Sequence, residues 1–262
     1  MSQRLNKIRC FLLDMDGTFY LEDKLIDGAL ELMSYLLNKN KDYLFLTNNS
    51  SKSTTLYMAK IKSMGFDVPI QKIFTSGEAT TIFLKSHYPG AKVFLVGTEA
   101  LAYEFELADI QLVEQDAQVV VLGFDITITY EKLWRLCDQV RAGLPYIATH
   151  PDLNCPTETG YKPDTGSFIA LVEASTGRTP DFIIGKPNQH IVDAVIEKTG
   201  FTVDEIAMVG DRLYTDIALG KTGITTVLTL SGETKLKDVQ DSLYKPDYIV
   251  KDLRGLLDLL KN

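Results

Sequence analysis

The sequence predicts an α/β fold in which a doubly wound parallel-sheet core is interrupted by an inserted α/β domain. Three observations carry this expectation. Short apolar runs, too brief for helices, alternate with stretches whose apolar residues recur at helical spacing. Several of these runs stop abruptly at acidic, hydroxylic or glycine-containing residues, as strands do where a sheet meets its loops. The pattern also restarts near Ser76 and returns to its first form after Pro180, giving a first core segment at 1–76, an insertion at 77–180 and a second core segment at 181–262.

Taken in order, Cys10 to Leu13 is four apolar residues in succession and reads as a strand covered on both faces. Asp27 to Leu37 reads as a helix with Leu30, Met33 and Leu37 on one face and Asp27 as its N-cap. Tyr43 to Leu46 is a second buried strand, ending in Thr47-Asn48-Asn49-Ser50, and Ser53 to Met64 is a helix stopped by Gly65. Strand, helix, strand, helix implies right-handed crossovers and parallel pairing. The insertion reads as helix Glu78 to His87, strand Lys92 to Val96, a helix from Thr98, strand Val119 to Leu122, helix Thr129 to Ala142 and strand Tyr146 to Thr149. Pro151 to Gly166, rich in Pro, Gly and Asp, is too long for an ordinary connection and reads as either mobile or functional. Ser167 to Ser175 is helical, and Gly177-Arg178-Thr179-Pro180 closes the insertion. The last third returns to the first pattern. It runs through an apolar strand at Phe182 to Ile184, helix Asn188 to Lys198, strand Ile206 to Val209 ending in Gly210-Asp211, a helix, strands Thr225 to Leu230 and Tyr248 to Val250, and a terminal Leu-rich helix.

At 262 residues, 45% apolar and 24% charged, the chain has the composition of an ordinary globular protein with room for a sizeable core. A net charge of -8 and a pI near 5.0 disfavour nucleic acid and anionic membrane as partners, so any phosphate handled here is expected to be small and locally bound. The first nine residues lack the apolar region and cleavage site of a signal peptide, and no apolar stretch reaches transmembrane length. Cys10, Cys137 and Cys155 are odd in number and form no C-x-x-C pair, which fits a reducing cytoplasm. His87, His150 and His190 are too dispersed to be spaced as metal ligands on one helix.

Four constellations stand after expected strands, where open α/β sheets bind ligands. They are Asp14-Met15-Asp16-Gly17-Thr18, Thr47-Asn48-Asn49, Lys186 within Gly185-Lys186-Pro187, and Asp211-Arg212-Leu213-Tyr214-Thr215-Asp216. Side chains two apart on an extended segment point the same way, so Asp14 and Asp16 can converge, and two like charges so close call for a cation with oxygen ligands. Gly17 lets the chain turn and bring backbone N–H groups close to whatever binds. Two look-alikes are set aside. Asp164-Thr165-Gly166-Ser167 matches an aspartic-protease signature but occurs once, and Gly220-Lys221-Thr222 mimics the end of a P-loop without the earlier glycine, position 215 being Thr.

With these four motifs in order, the chain resembles the haloacid dehalogenase superfamily of phosphohydrolases, and its long insertion resembles the cap of the NagD-like, p-nitrophenyl phosphatase branch. The resemblance implies a Mg2+-dependent phosphatase acting on small phosphomonoesters such as nucleotide, sugar, glycerol or pyridoxal phosphates. It casts Asp14 as the nucleophile that forms an aspartyl-phosphate and Asp16 as the acid and base. It places Mg2+ on Asp14, the Asp16 backbone carbonyl and Asp211, with Asp216 ordering the outer shell. Gly17, Thr47, Asn48 and Lys186 are then the phosphate-binding residues, Lys186 offsetting charge. Asp152 and Asn154, in the expected cap loop, are the candidates for touching substrate, and cap surfaces in this branch often mediate dimers, which makes a homodimer one option without fixing the oligomeric state. Two rivals remain open: a receiver-like phospho-Asp signalling module, and a phosphotransferase or phosphomutase.

Overall fold

The computed structural model describes residues 2–157 and 159–262. The chain divides into two units, one formed by 1–47, 54–74 and 186–262 and the other by 48–53 and 75–185. The sequence expectation broke the chain after 76 and 180; the units break after 74 and 185, and 48–53 group with the second unit.

The first unit is built on a six-stranded sheet in the order Tyr248–Val250, Thr225–Thr229, Ile206–Gly210, Cys10–Leu13, Asp42–Thr47, Ile73–Thr75. Cys10–Leu13 is central and buried at every position, which is why its sequence is uninterrupted by polar residues. It pairs in parallel with Asp42–Thr47 on one side and Ile206–Gly210 on the other, and the register sets Leu13 opposite both Phe45 and Val209. The residues that follow these three partners therefore leave the sheet along one carboxyl edge, and the chain reverses direction across the sheet there, the position at which such sheets bind ligands.

The helix Ala29–Asn38 buries Ala29, Leu32, Met33 and Leu36, whereas Leu30 and Leu37 of the expected face are exposed. Both faces carry leucines, so periodicity alone could not choose between them. Its N-cap is Gly28 in a left-handed conformation with no side-chain cap bond, not Asp27, whose carbonyl instead accepts from Arg254 N at 3.0 Å at the start of the terminal helix Leu253–Lys261. That terminal helix turns Leu253, Leu256, Leu257 and Leu260 inward, and the Tyr35 hydroxyl donates to the Leu260 carbonyl at 2.7 Å. Beneath the sheet, Phe45 meets the rings of Phe19, Tyr43 and Phe66 with centroids 4.6, 5.7 and 6.3 Å away.

Short elements escaped the sequence reading: the helices Ser2–Lys7 and Leu236–Asp241, the hairpin Tyr20–Leu21 with Lys24–Leu25, and the strand Ile73–Thr75. The helix expected after Asp211 is a 3-10 segment, Ile217–Thr222, ended by left-handed Gly223.

The second unit has its own sheet, Phe182–Ile183, Tyr146–Ala148, Val119–Leu122, Val93–Val96, paired in parallel throughout. The strand at Phe182 was expected to rejoin the core. Instead it closes the edge of this sheet, with Phe182 opposite Ile147 and its ring 5.0 Å from Phe83. Four helices of this unit are capped by threonine or aspartate side chains, at Thr75, Thr98, Thr129 and Asp164. The segment Pro151 to Gly166 is structured: Asn154–Thr157 and Gly160–Pro163 pair antiparallel. Its prolines and lack of apolar alternation concealed it, since proline is tolerated in strands only where no ladder bond is required. Among the described residues, no helix is long and apolar enough to cross a membrane.

Phe45→Ala should cost ~3–5 kcal/mol, because a fully buried ring with three aromatic neighbours leaves a cavity that a central strand cannot collapse. Chemical denaturation measures this; a loss below ~1 kcal/mol would show that the ring cluster is not a main support of the first unit.

Candidate active site

Four of the expected residues meet at the carboxyl edge of the first unit's sheet. The Lys186 amine donates to Asp14 Oδ1 at 2.6 Å, to Asp216 Oδ1 at 2.7 Å and to the Leu46 carbonyl at 3.3 Å. Carboxylate oxygens of Asp14, Asp211 and Asp216 lie within 4.8 Å of one another. Asp14 continues the central strand, its N–H donating to the Val209 carbonyl at 2.9 Å, which fixes its backbone beside the strand that delivers Asp211. Lys186, Asp211 and Asp216 are buried, while Asp14 is partly open to solvent.

Asp211 is held by neutral donors rather than by cations. Its Oδ2 accepts from Glu233 N at 2.7 Å, its Oδ1 from the Thr18 hydroxyl at 3.4 Å, and its carbonyl from Thr234 N at 3.3 Å. Such proximity requires residues without side chains. A Cβ on Gly232 would stand 2.0 Å from Asp211 Oδ2, and one on Gly17, whose φ is +81°, would stand 2.5 Å from the same atom. The Ser231 hydroxyl donates to the Gly17 carbonyl at 2.7 Å, so the two glycine turns brace each other around the carboxylate. Asp216 receives the Arg212 N–H at 3.1 Å, while the Arg212 guanidinium lies 3.1 Å from Glu233.

The electrostatics follow from crowding. Burial, reinforced by the charges of Asp14 and Asp216, pushes the Asp211 carboxyl up to about 7. Burial also raises Asp216, against the pull of Lys186, to about 6. Burial works against the charge on Lys186, but Asp14 and Asp216 outweigh it and hold the amine above its ordinary value. With one amine among three carboxylates, and Arg212 offset by Glu233, the ionised cluster carries about two surplus negative charges, each like-charged pair repelling by ~3 kcal/mol at an effective dielectric of ~20. A hard divalent cation with oxygen ligands supplies the missing charge, so the residues fit one.

The remaining expected residues are placed as follows. Asp16 is exposed and forms a backbone bridge with Tyr20, and Gly17 N donates to the Tyr20 carbonyl at 2.8 Å. Thr47 is buried and ends the strand whose Leu46 carbonyl Lys186 touches. In the second unit, the Asn48 amide donates to both Asp152 oxygens at 3.1 and 3.2 Å. Asp152 thus holds Asn48, and Asn154 is exposed on the hairpin opposite Pro163. Sequence reasoning quoted Thr18 within its motif without giving it a role, and it missed the Ser231–Thr234 loop, for which a Ser-Gly pair just beyond the Thr225–Thr229 strand was the one available signal.

A family profile for haloacid dehalogenase-like hydrolases matches residues 11–111, and a HAD-hydrolase-like profile matches residues 183–256. An acid sugar phosphatase of Staphylococcus aureus is 36% identical over 252 residues, which cover 95% of this chain and 96% of that protein. The chain belongs to the haloacid dehalogenase-like hydrolase family. Within the family it is NagD-like, of the p-nitrophenyl phosphatase branch. The solved 4-nitrophenylphosphatase of Thermotoga maritima is similar over 98% of this chain and 99% of that one, with 47% identity and a TM-score of 0.95. A glycerol phosphate phosphatase of Mycobacterium tuberculosis, solved in complex with calcium, is similar over 97% of this chain and 76% of that one, with 31% identity and a TM-score of 0.88.

The raised carboxyls give a signed expectation for this haloacid dehalogenase-like hydrolase. Without metal, Asp211 and Asp216 bind more protons folded than unfolded between about pH 4 and about pH 7, so their contribution to stability falls as pH rises through that window. A divalent cation displaces those protons, so its stabilisation should be greater at about pH 7.5 than at about pH 5, by ~5 °C in Tm for ~2 kcal/mol of linkage. Thermal unfolding with and without metal reads this. Equal shifts at both pH values would move the ion away from these acids.

Proposed function

We propose that this enzyme is a Mg2+-dependent phosphatase that hydrolyses small phosphomonoesters through an aspartyl-phosphate on Asp14. The observation that carries the reading is Lys186 bridging Asp14 and Asp216 beside Asp211, a cation and three acids gathered from three separate strand ends.

Lys186 holds Asp14 by Oδ1, orienting the carboxylate so that its other oxygen can attack phosphorus. The Asp14 O–P bond forms as the ester P–O bond breaks, and Asp16, open to solvent beside the Gly17 turn, protonates the departing alkoxide. Asp16 then takes a proton from water, the water oxygen bonds to phosphorus, and the Asp14 O–P bond breaks to release inorganic phosphate. One carboxyl serves both steps because each returns it to the state the next requires. Thr47 and the Asn48 N–H bind phosphate oxygens, and Lys186 offsets the charge gathered on Asp14 and the phosphoryl group. Asp14, the Asp16 carbonyl and Asp211 would hold Mg2+, with Asp216 supporting from behind; when bound, the ion supplies Lewis-acid stabilisation of phosphoryl charge. Mg2+ is favoured by the all-oxygen donor set, which contains neither cysteine nor histidine. Sugar phosphates, glycerol phosphate and p-nitrophenyl phosphate are the substrates to test first, after the names of the relatives.

Asp14→Asn should lower phosphate release from p-nitrophenyl phosphate by at least ~10³-fold with unchanged far-ultraviolet circular dichroism, because an amide oxygen is a poor nucleophile. Substantial turnover by that variant would rule out the covalent route. Removal of metal by EDTA should silence the wild-type enzyme and Mg2+ should restore it; continued activity in EDTA would count against the metal. Phosphate released over many turnovers supports hydrolysis, whereas a single persistent phosphorylated protein supports the signalling alternative.

A further inference from the structure

His150 and Asp164 belong to no motif of the reaction, yet both are buried and both are held by hydrogen bonds. His150 Nε2 lies 2.8 Å from Asp164 Oδ1, and Nδ1 lies 2.9 Å from Thr149 Oγ1 and 3.4 Å from Ser76 Oγ. Thr149 Oγ1 is 3.1 Å from Ser50 Oγ, which accepts from Phe124 N at 3.0 Å. Ser76 Oγ donates to the Asn48 carbonyl. Asp164 Oδ1 also accepts from Thr165 N at 2.6 Å at the start of the helix Thr165–Thr176.

The donors and acceptors can be assigned in one consistent direction. A carboxylate only accepts, so Nε2 carries its hydrogen toward Asp164. In the neutral ring Nδ1 then accepts, and because the Ser76 hydrogen is committed to the Asn48 carbonyl, the donor to Nδ1 is the Thr149 hydroxyl. Thr149 in turn accepts from Ser50, and Ser50 from Phe124 N–H. The result is an unbroken chain, Phe124 to Ser50 to Thr149 to His150 to Asp164, satisfied at every link. One ligand atom each of His150, Asp152 and Asp164 lies within 4.8 Å of the others, but His150 and Asp164 bond each other and Asp152 accepts from Asn48, which argues for hydrogen-bonded side chains rather than a second metal centre.

We propose that His150 and Asp164 are positioning residues that fix the Asn48–Ser50 turn, so that the Asn48 N–H is presented to the phosphate in one orientation. The turn is held at three points, the Asn48 carbonyl by Ser76, the Asn48 amide by Asp152 and Ser50 by Thr149, and it is the third that His150 controls by accepting from Thr149. Asp164 keeps the ring in the required tautomer. The proposal rests on Asn48 binding phosphate as described above.

The test measures KM and kcat for p-nitrophenyl phosphate and the competitive Ki of inorganic phosphate in His150→Ala, His150→Gln, Asp164→Asn and Thr149→Val, alongside wild type and Asp14→Asn. His150→Ala and Asp164→Asn should each raise KM and Ki about tenfold, the change given by a lost buried hydrogen bond of ~1.4 kcal/mol, with a smaller fall in kcat. His150→Gln, which can still donate toward Asp164, should recover part of the loss. The double variant His150→Ala with Asp164→Asn should be no worse than the poorer single one, because the two act as a unit. If His150→Ala does not fold, Thr149→Val removes only the hydroxyl links and should raise KM and Ki in the same direction. Unchanged KM and Ki in folded variants, while wild type turns over and Asp14→Asn does not, would overturn the proposal and leave the phosphatase reading intact. A wild-type protein that releases no phosphate, or an active Asp14→Asn variant, would overturn the phosphatase reading itself and this proposal with it.

Discussion

The arrangement depends on one buried amine. Lys186 is the only cation bonded directly to the acid cluster among the described residues, and its three bonds join the end of the central strand, the end of its neighbour and the turn after Ile206–Gly210. Its desolvation is costly, and only the two carboxylates that share it make its burial tolerable. Removing either partner or the amine would leave an uncompensated charge in a site with little access to water. The same amine thus keeps three strand ends in register and gives Asp14 its orientation.

Backbone donors complete what the amine begins. Glu233 N and Thr234 N bind Asp211 without adding net charge, and Gly232 and Gly17 let the backbone come that close. A lysine in the Ser231–Thr234 loop would have halved the surplus negative charge and weakened the reason for a metal ion. Neutral donors fix the carboxylate while leaving its charge available, and the raised Asp211 and Asp216 carboxyls express that imbalance.

Much of this was readable in the residues because a buried parallel strand announces its own end. Asp14 and Asp211 each terminate an apolar run, so the strand-end rule located them, while Lys186 was singled out within Gly185-Lys186-Pro187 and Asp216 by its place after Asp211. The helix face at Ala29–Asn38 was misread because leucines occupy both sides of it. The strand at Phe182 was given to the wrong sheet because two apolar residues carry no information about their partner. The Ser231–Thr234 loop and the pair His150 and Asp164 were missed for a related reason: their roles lie in contacts between residues far apart in sequence, made by side chains common in turns. Asp164 was visible only as part of a misleading Asp-Thr-Gly-Ser match.

That last residue shows how fold and site share an economy of polar groups. Asp164 caps a helix with the same oxygen that receives the His150 N–H, so the helix start and the ring orientation are set together. A buried imidazole can satisfy a donor on one nitrogen and an acceptor on the other only if its neighbours are polarised in one sense, and the Phe124 N–H at the far end supplies that sense. The turn at Asn48 is thereby held by hydrogen bonds made on folding, so a ligand meeting it would not have to supply that ordering.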